Sequence, residues 1–269
     1  MTDDPKAPPP PILADKHHET PSAFTPENLL REARRQKSIE DGPVPAICLL
    51  DPDGDMVRQL VASGRADRCP TWACYHTDLY RFRHDGIDFG IVGCAVGASF
   101  AVVVAEQMFA AGCQLLISMT SAGRIVELRD PPYFVLIERA LRDEGTSYHY
   151  LPPSDYSDAG AAMIDRLAGA FDHLAVPVER GAVWTTDGPY RETPDAIEAR
   201  RADGILAVEM EAAALYAFAR ARGRDVVCFA HVTNQMAQVH GDFEKGEADG
   251  SADALNVIAA AARMLGATP

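Results

Sequence analysis

No apolar run in the 269-residue chain approaches the roughly 20 residues that a membrane-spanning helix needs. No internal repeat is visible either, so neither a helical membrane protein nor a solenoid is expected. Positive charge is in short supply: Lys+Arg 25 stand against Asp+Glu 39, a formal net charge of -14. A field of that sign repels nucleic acid and anionic membrane surfaces, so neither is an expected partner. Any anionic ligand then needs a local cationic cluster. The cysteines Cys48, Cys69, Cys74, Cys94, Cys113 and Cys228 form no C-x-x-C pair and no spaced Cys/His set, which argues against a metal centre. Cys48, Cys94 and Cys228 lie in apolar runs and are expected as small buried hydrophobes. The opening Met1-Thr-Asp-Asp-Pro5 has neither the basic nor the apolar region of a secretory signal, and a cytoplasmic location is expected.

What is present suits a globular protein. The hydrophobic fraction is 47%, and the length fits one large α/β domain with an appendage. Residues 1–43 are read as an N-terminal arm and helix, and 44–269 as a single domain. Ala7-Pro-Pro-Pro-Pro11 and the neighbouring His17 and His18 favour an extended arm, suited to crossing a neighbouring subunit. Thr25 then reads as an N-cap with Pro26 at the first helical position, ahead of a solvated basic face of Arg31, Arg34, Arg35 and Lys37.

Beyond Val44, apolar runs alternate with helical patterns. Ala46–Leu50, Ile87–Val96, Leu115–Met119, Gly181–Thr185, Ala207–Glu209 and Val226–Val232 read as strands; Phe100–Ala111, Val135–Asp143, Ala212–Ala221 and Ala252–Leu265 read as helices. Continuously apolar strands are buried on both faces, and the interleaved helices supply the cover. The expected architecture is a three-layer α/β/α sandwich around a central mixed β-sheet.

Ligands of such sheets sit at the carboxyl ends of strands. Four strand exits carry suitable chemistry. Asp53-Gly54-Asp55-Met56-Val57-Arg58 offers turn amides and a guanidinium one turn later, a combination that grips an oxyanion. Ser118-Met119-Thr120-Ser121-Ala122-Gly123-Arg124 offers hydroxyls and turn amides for phosphate or sugar oxygens, although a polar turn capping its own backbone has the same composition. Trp184-Thr185-Thr186-Asp187-Gly188-Pro189-Tyr190 provides an aromatic ring against which a flat heterocycle can pack. Thr233-Asn234-Gln235 ends a buried strand with amides able to read a base edge. The most informative stretch is Val208-Glu209-Met210-Glu211-Ala212, where a strand ends in two carboxylates and becomes a helix. A carboxylate fixed beside the first amides of a helix can accept from two neighbouring hydroxyls at once.

These pieces, in this order, resemble the nucleoside phosphorylase family that includes uridine phosphorylase, bacterial purine nucleoside phosphorylase and related nucleosidases, from about Val44 to Leu265. The resemblance implies a phosphorylase/hydrolase-like fold and cleavage of an N-glycosidic bond by phosphate, giving free base and pentose 1-phosphate. It implies that Glu211 binds the ribose hydroxyls, that Met210 packs under the sugar, and that Glu209 lies in the same pocket. Gly54, Arg58 and Ser121 match the phosphate site, Asn234 faces the leaving base, and Tyr190 stands near the base-stacking position. Glu211, Arg58 and Asn234 are the expected catalytic residues. No metal or organic cofactor is expected, phosphate being the co-substrate, and homo-oligomers with sites shared between subunits are implied.

The chain also departs from that pattern. Ser118 occupies the place of one phosphate arginine, and Tyr75 or His76 the place of another that a neighbouring subunit supplies. Arg81, Arg83 or Arg124 would have to substitute. Asn234 stands where purine enzymes carry an aspartate, and an asparagine cannot protonate the base. A hydrolase in which Asp55 orients water, and a noncatalytic nucleoside-binding module, remain open alternatives.

Overall fold

The computed structural model describes residues 8–236, 242–243 and 245–266. Helix α1 (Pro26–Lys37) starts as its sequence predicts, with the Thr25 hydroxyl accepting from the Asn28 amide at 3.3 Å. Strand β1 (Ile47–Asp51) leads into α2 (Asp55–Ala62), and then come β2 (Ala66–Arg68), β3 (Tyr80–His84), β4 (Ile87–Gly93) and α3 (Ala98–Ala110). The chain continues through β5 (Leu115–Arg124), β6 (Tyr133–Asp143), β7 (Tyr156–Asp158), α4 (Ala161–Arg166), β8 (Val178–Thr186) and α5 (Pro194–Ala202). It closes with β9 (Ala207–Glu209), α6 (Ala212–Arg222), β10 (Asp225–Asn234) and α7 (Ser251–Met264).

The strands form one mixed sheet in the order β10-β6-β8-β9-β5-β1-β4-β3-β2, with β7 beside β6. Its centre is parallel: β1 pairs with β4 and β5, and β5 with β10. Alternation along these strands divides the core. Leu116 and Cys228 face α3 and α6, which contribute Val102, Met108, Leu215 and Phe218. Ile117 and Phe229 face the other way, against Met56 and Leu60 of α2 and Leu255 and Ile258 of α7. The three expected layers are present. Because β10 pairs with both β5 and β6, part of the sheet also closes into a ring of β5, β9, β8, β6 and β10, which the apolar runs alone do not reveal.

Three expectations are corrected. Val135–Asp143 is the body of strand β6, not a helix. Tyr133 to Ile137 are all buried between β10 and β8, and a register irregularity between Ile137 and Arg139 shifts the alternation, so the later residues mimic a helical period. Strand β4 stops at Gly93, and Cys94 turns the chain at φ 62 with its amide donating to the Asp51 carbonyl at 3.0 Å, which leaves its thiol exposed. The arm, from residue 8 onward, is a series of turns folded onto its own chain: Lys16 Nζ lies 3.0 Å from His149 Nδ1, and His18 Nε2 3.2 Å from the Tyr148 carbonyl. Residues 1–7 lie outside the described residues.

Tyr216 on α6 explains where the ring opens. The β10–β6 ladder ends at the pair Phe229–Leu136. At the next position the Tyr216 hydroxyl enters between the strands, donating to the Ile137 carbonyl at 2.6 Å and accepting from the Cys228 amide at 3.0 Å. One buried hydroxyl thus replaces a missing ladder bond. Tyr216→Phe orphans both backbone groups and is expected to lower stability by about 2–6 kcal/mol, at roughly 1–3 for each buried unsatisfied group. Chemical denaturation measures it, and an unchanged midpoint would refute the bridging role.

Candidate functional site

The site is built at the carboxyl ends of β1, β5, β8 and β10. Its anchor is Glu209, the last residue of β9 and 3% exposed. One carboxylate oxygen accepts the amides of Glu211 and Ala212 at 2.7 and 2.8 Å, and the other accepts the Thr185 hydroxyl. Thr185 in turn accepts the Ala213 amide at 3.0 Å. Glu209 and Thr185 therefore satisfy the otherwise unpartnered first amides of α6. Of the two carboxylates in this stretch, the one that turns back onto the helix start is Glu209.

Glu211 is released by that arrangement to point elsewhere. Its oxygens accept from the Gly97 amide at 2.6 Å and the Thr120 hydroxyl at 2.8 Å, tying the start of α3 to β5. Two donors leave about two of a carboxylate's four acceptor positions open. Glu211 is 1% exposed, and burial, reinforced by the neighbouring Glu209 charge, pushes its carboxyl up to about 8 against the opposing pull of those two bonds. Burial also raises Glu209. Met210, between them, is half-buried.

The Gly54 turn differs from expectation in where its amides point. Gly54 sits at φ 76, and a Cβ there would lie 2.6 Å from Cys94 Sγ, so glycine is required. Its amide and that of Val57 are directed at the Asp51 carboxylate, at 3.2 and 2.9 Å. Arg58 is largely exposed, and its guanidinium is paired with Asp55. The other oxygen of Asp55 takes Lys245, which also reaches Asp53 at 3.3 Å. Ser121 is likewise not in a turn: β5 runs on to Arg124, and Ser121 pairs with His231 of β10. It lines a cavity of about 20 Å³ together with Asp53, Asp55, Thr120, His231 and Gly250. Thr120 thus joins the Glu211 side to the Gly54–Arg58 side.

On the third side Asn234 is held at both ends of its amide, its oxygen accepting from the Met236 amide at 2.8 Å and its nitrogen donating to Thr233 at 3.1 Å. Arg124 is drawn to Gln235, at 2.5 Å. Tyr190, in contrast, is 98% exposed and borders a cavity of about 760 Å³ shared with Glu192 and Met236. Arg81 and Arg83 lie on β3 and line a cavity of about 930 Å³ at the amino ends of β1 and β5. Within one chain they lie away from this site. Gly97, Thr120, Thr185, Asp51 and Lys245 were not singled out by sequence reasoning; Thr120 and Thr185 carried a signal, each as part of a polar strand exit.

The arrangement defines an α/β enzyme-like site with a carboxylate pair, a glycine–arginine turn and an amide side chain around one set of strand ends. Among known proteins, the family model described as the Phosphorylase superfamily matches residues 46–265, and the chain belongs to that family. It is similar to a guanosine phosphorylase of Halorubrum lacusprofundi, at 23% identity over 69% of this chain and 76% of the relative. A DeoD-type purine nucleoside phosphorylase of Bacillus cereus is 29% identical over 57% of this chain and 66% of the relative. Among solved structures, uridine phosphorylase from Vibrio fischeri ES114 superposes with a TM-score of 0.68 at 22% identity, covering 83% of this chain and 92% of that one. Purine nucleoside phosphorylase from Toxoplasma gondii, in complex with immucillin-H, gives 0.69 at 15% identity, covering 84% and 92%. The fold is theirs.

Asp51, at 3% exposure, is pushed up to about 7 by burial and by the charges of Asp53 and Asp55, against the opposing bonds from Val57 and Gly54. The native state then keeps a proton that the unfolded chain has released, so stability falls as pH rises from the ordinary carboxylate range, about 4, toward 7. Asp51→Asn is expected to flatten this decline. Parallel Tm–pH curves for variant and wild type would refute the assignment.

Proposed function

We propose that this protein is a nucleoside phosphorylase, a pentosyltransferase that splits the N-glycosidic bond of a nucleoside with inorganic phosphate and releases free base and pentose 1-phosphate. The observation that carries the reading is Glu211. It is buried, held by Gly97 and Thr120, and retains acceptor positions for two adjacent hydroxyls. Charge on Glu211 stabilises the oxocarbenium character that a departing base leaves on the sugar. Met210 shields the ring from water, Ser121 and the Gly54–Arg58 turn receive phosphate, and Asn234 donates a hydrogen bond to the base. Phosphate is the co-substrate, and no metal or organic cofactor takes part. The reading includes a cytoplasmic homo-oligomer with shared sites. The oligomer is supported by exposed apolar side chains on Val96 and Val103, at 51% and 45% exposure. A hydrolase reading is favoured by one observation: Asp53 and Asp55 neutralise both Arg58 and Lys245 at the turn.

A panel of purine and pyrimidine nucleosides, incubated with and without phosphate, separates the two. Base and pentose 1-phosphate are expected together, and only with phosphate; base release that ignores phosphate overturns the phosphorylase. Glu211→Gln is expected to lower kcat/KM by about a hundredfold, as for loss of a charge-assisted contact pair. Because the ionised form binds the sugar and burial holds its carboxyl near 8, the acid limb of kcat/KM should lie in the neutral range. A limb at pH 4–5, roughly where free carboxylates titrate, or a fully active glutamine variant would discard the ribose role.

A further inference from the structure

The phosphate side of the site is short of charge. Ser118, at the place of a family arginine, is 1% exposed in the middle of β5 between β1 and β10, and its hydroxyl has no partner. It can supply no cation. Arg81 and Arg83 face the other end of the sheet, and Arg124 is committed to Gln235 and the Arg129 carbonyl. One further cation does reach the Gly54–Arg58 turn, and it comes from a segment 192 residues away from Asp53.

That cation is Lys245. Asp55 holds Arg58 on one oxygen and Lys245 on the other, so a single carboxylate spaces the two cations as two oxygens of one bound anion would. The backbone behind the lysine is fixed: Gly250, at φ 73, packs so closely that a Cβ there would lie 2.4 Å from the Lys245 carbonyl and 2.2 Å from His231. His231 is stacked on Phe134 with ring centroids 4.5 Å apart. The ammonium is thereby delivered to Asp55, which also holds Arg58 and lines the small cavity with Ser121, while its four-carbon stem and three donors allow it to change partners.

We propose that Lys245 is the second cation of the phosphate subsite, taking the place of the arginine lost at Ser118 and exchanging Asp53 and Asp55 for phosphate oxygens when the anion binds. Arg58 and Lys245 against Asp53 and Asp55 sum to no net charge, so the two aspartates compete with phosphate for the lysine. The proposal rests on the phosphorylase reading only for the identity of the anion.

Titration calorimetry of the full chain with inorganic phosphate tests it without nucleoside. Lys245→Met is expected to weaken phosphate by about tenfold or more and Lys245→Arg to restore most of the affinity, the scale of one charge-assisted contact. Asp53→Asn should tighten phosphate by about threefold, because a competitor for the lysine is removed. A purely structural ion pair predicts no such gain. In turnover assays, KM for phosphate should rise in Lys245→Met while KM for the nucleoside holds. Wild-type affinity in Lys245→Met, unchanged affinity in Asp53→Asn, or no phosphate binding by the wild type overturns the proposal. Phosphate-independent base release with Lys245-dependent phosphate binding intact would instead overturn the phosphorylase reading alone.

Discussion

The buried carboxylate of Glu209 is the contact on which the site depends. A helix that begins inside a protein leaves its first amides without partners, and α6 begins at 1% exposure. Glu209 accepts two of these amides and Thr185 accepts a third. The chain can therefore turn from strand to helix in two residues without water. That short turn places Glu211 between the starts of α3 and α6, where both helix dipoles favour its charge while burial opposes it. The balance leaves a carboxyl that gains or loses its proton under mild conditions, poised by its surroundings.

The Gly54–Arg58 side follows a different logic. In a chain of net charge -14, an oxyanion meets long-range repulsion and must be held by local cations. Here Asp55 bridges Arg58 and Lys245. Such a bridge keeps the cations close together and oriented, at the cost of competing with any anion that arrives. A third carboxylate, Asp51, avoids adding to that competition because its oxygens face the amides of Gly54 and Val57, and burial favours its neutral form.

Much of the fold was legible because its central strands are apolar on both faces. β1, β5 and β10 could not be mistaken for amphipathic elements. β6 could: its irregularity between Ile137 and Arg139 resets the alternation, and Ile137, Ala140 and Leu141 then fall at helical spacing. Only its neighbours in the sheet distinguish the two. At the site, the order of motifs identified Gly54, Arg58, Ser121, Glu209, Glu211 and Asn234, all of which the fold brings to one set of strand ends. Tyr190 stands apart from them, because a ring at a strand exit can turn either way and the 3-10 turn of Pro189–Arg191 leaves it exposed. Lys245 was invisible because its meaning lies in Asp53 and Asp55, at the far end of the chain.

The two halves of the site are therefore specified by different kinds of contact. The Glu211 side is made of hydrogen bonds among neighbouring strand ends and helix starts, and each is buried, directional and costly to lose. Removing one member leaves a backbone amide or a carboxylate unsatisfied, so the geometry around Glu211 is tied to the stability of the fold. The anion side is made of ion pairs between partly exposed side chains, individually weak and replaceable. A cation there can come from a distant segment without disturbing the core, as Lys245 does in reaching Asp55. Such a difference in cost leaves the contacts around Glu209-Met210-Glu211 far less free to change than those around Arg58 and Lys245.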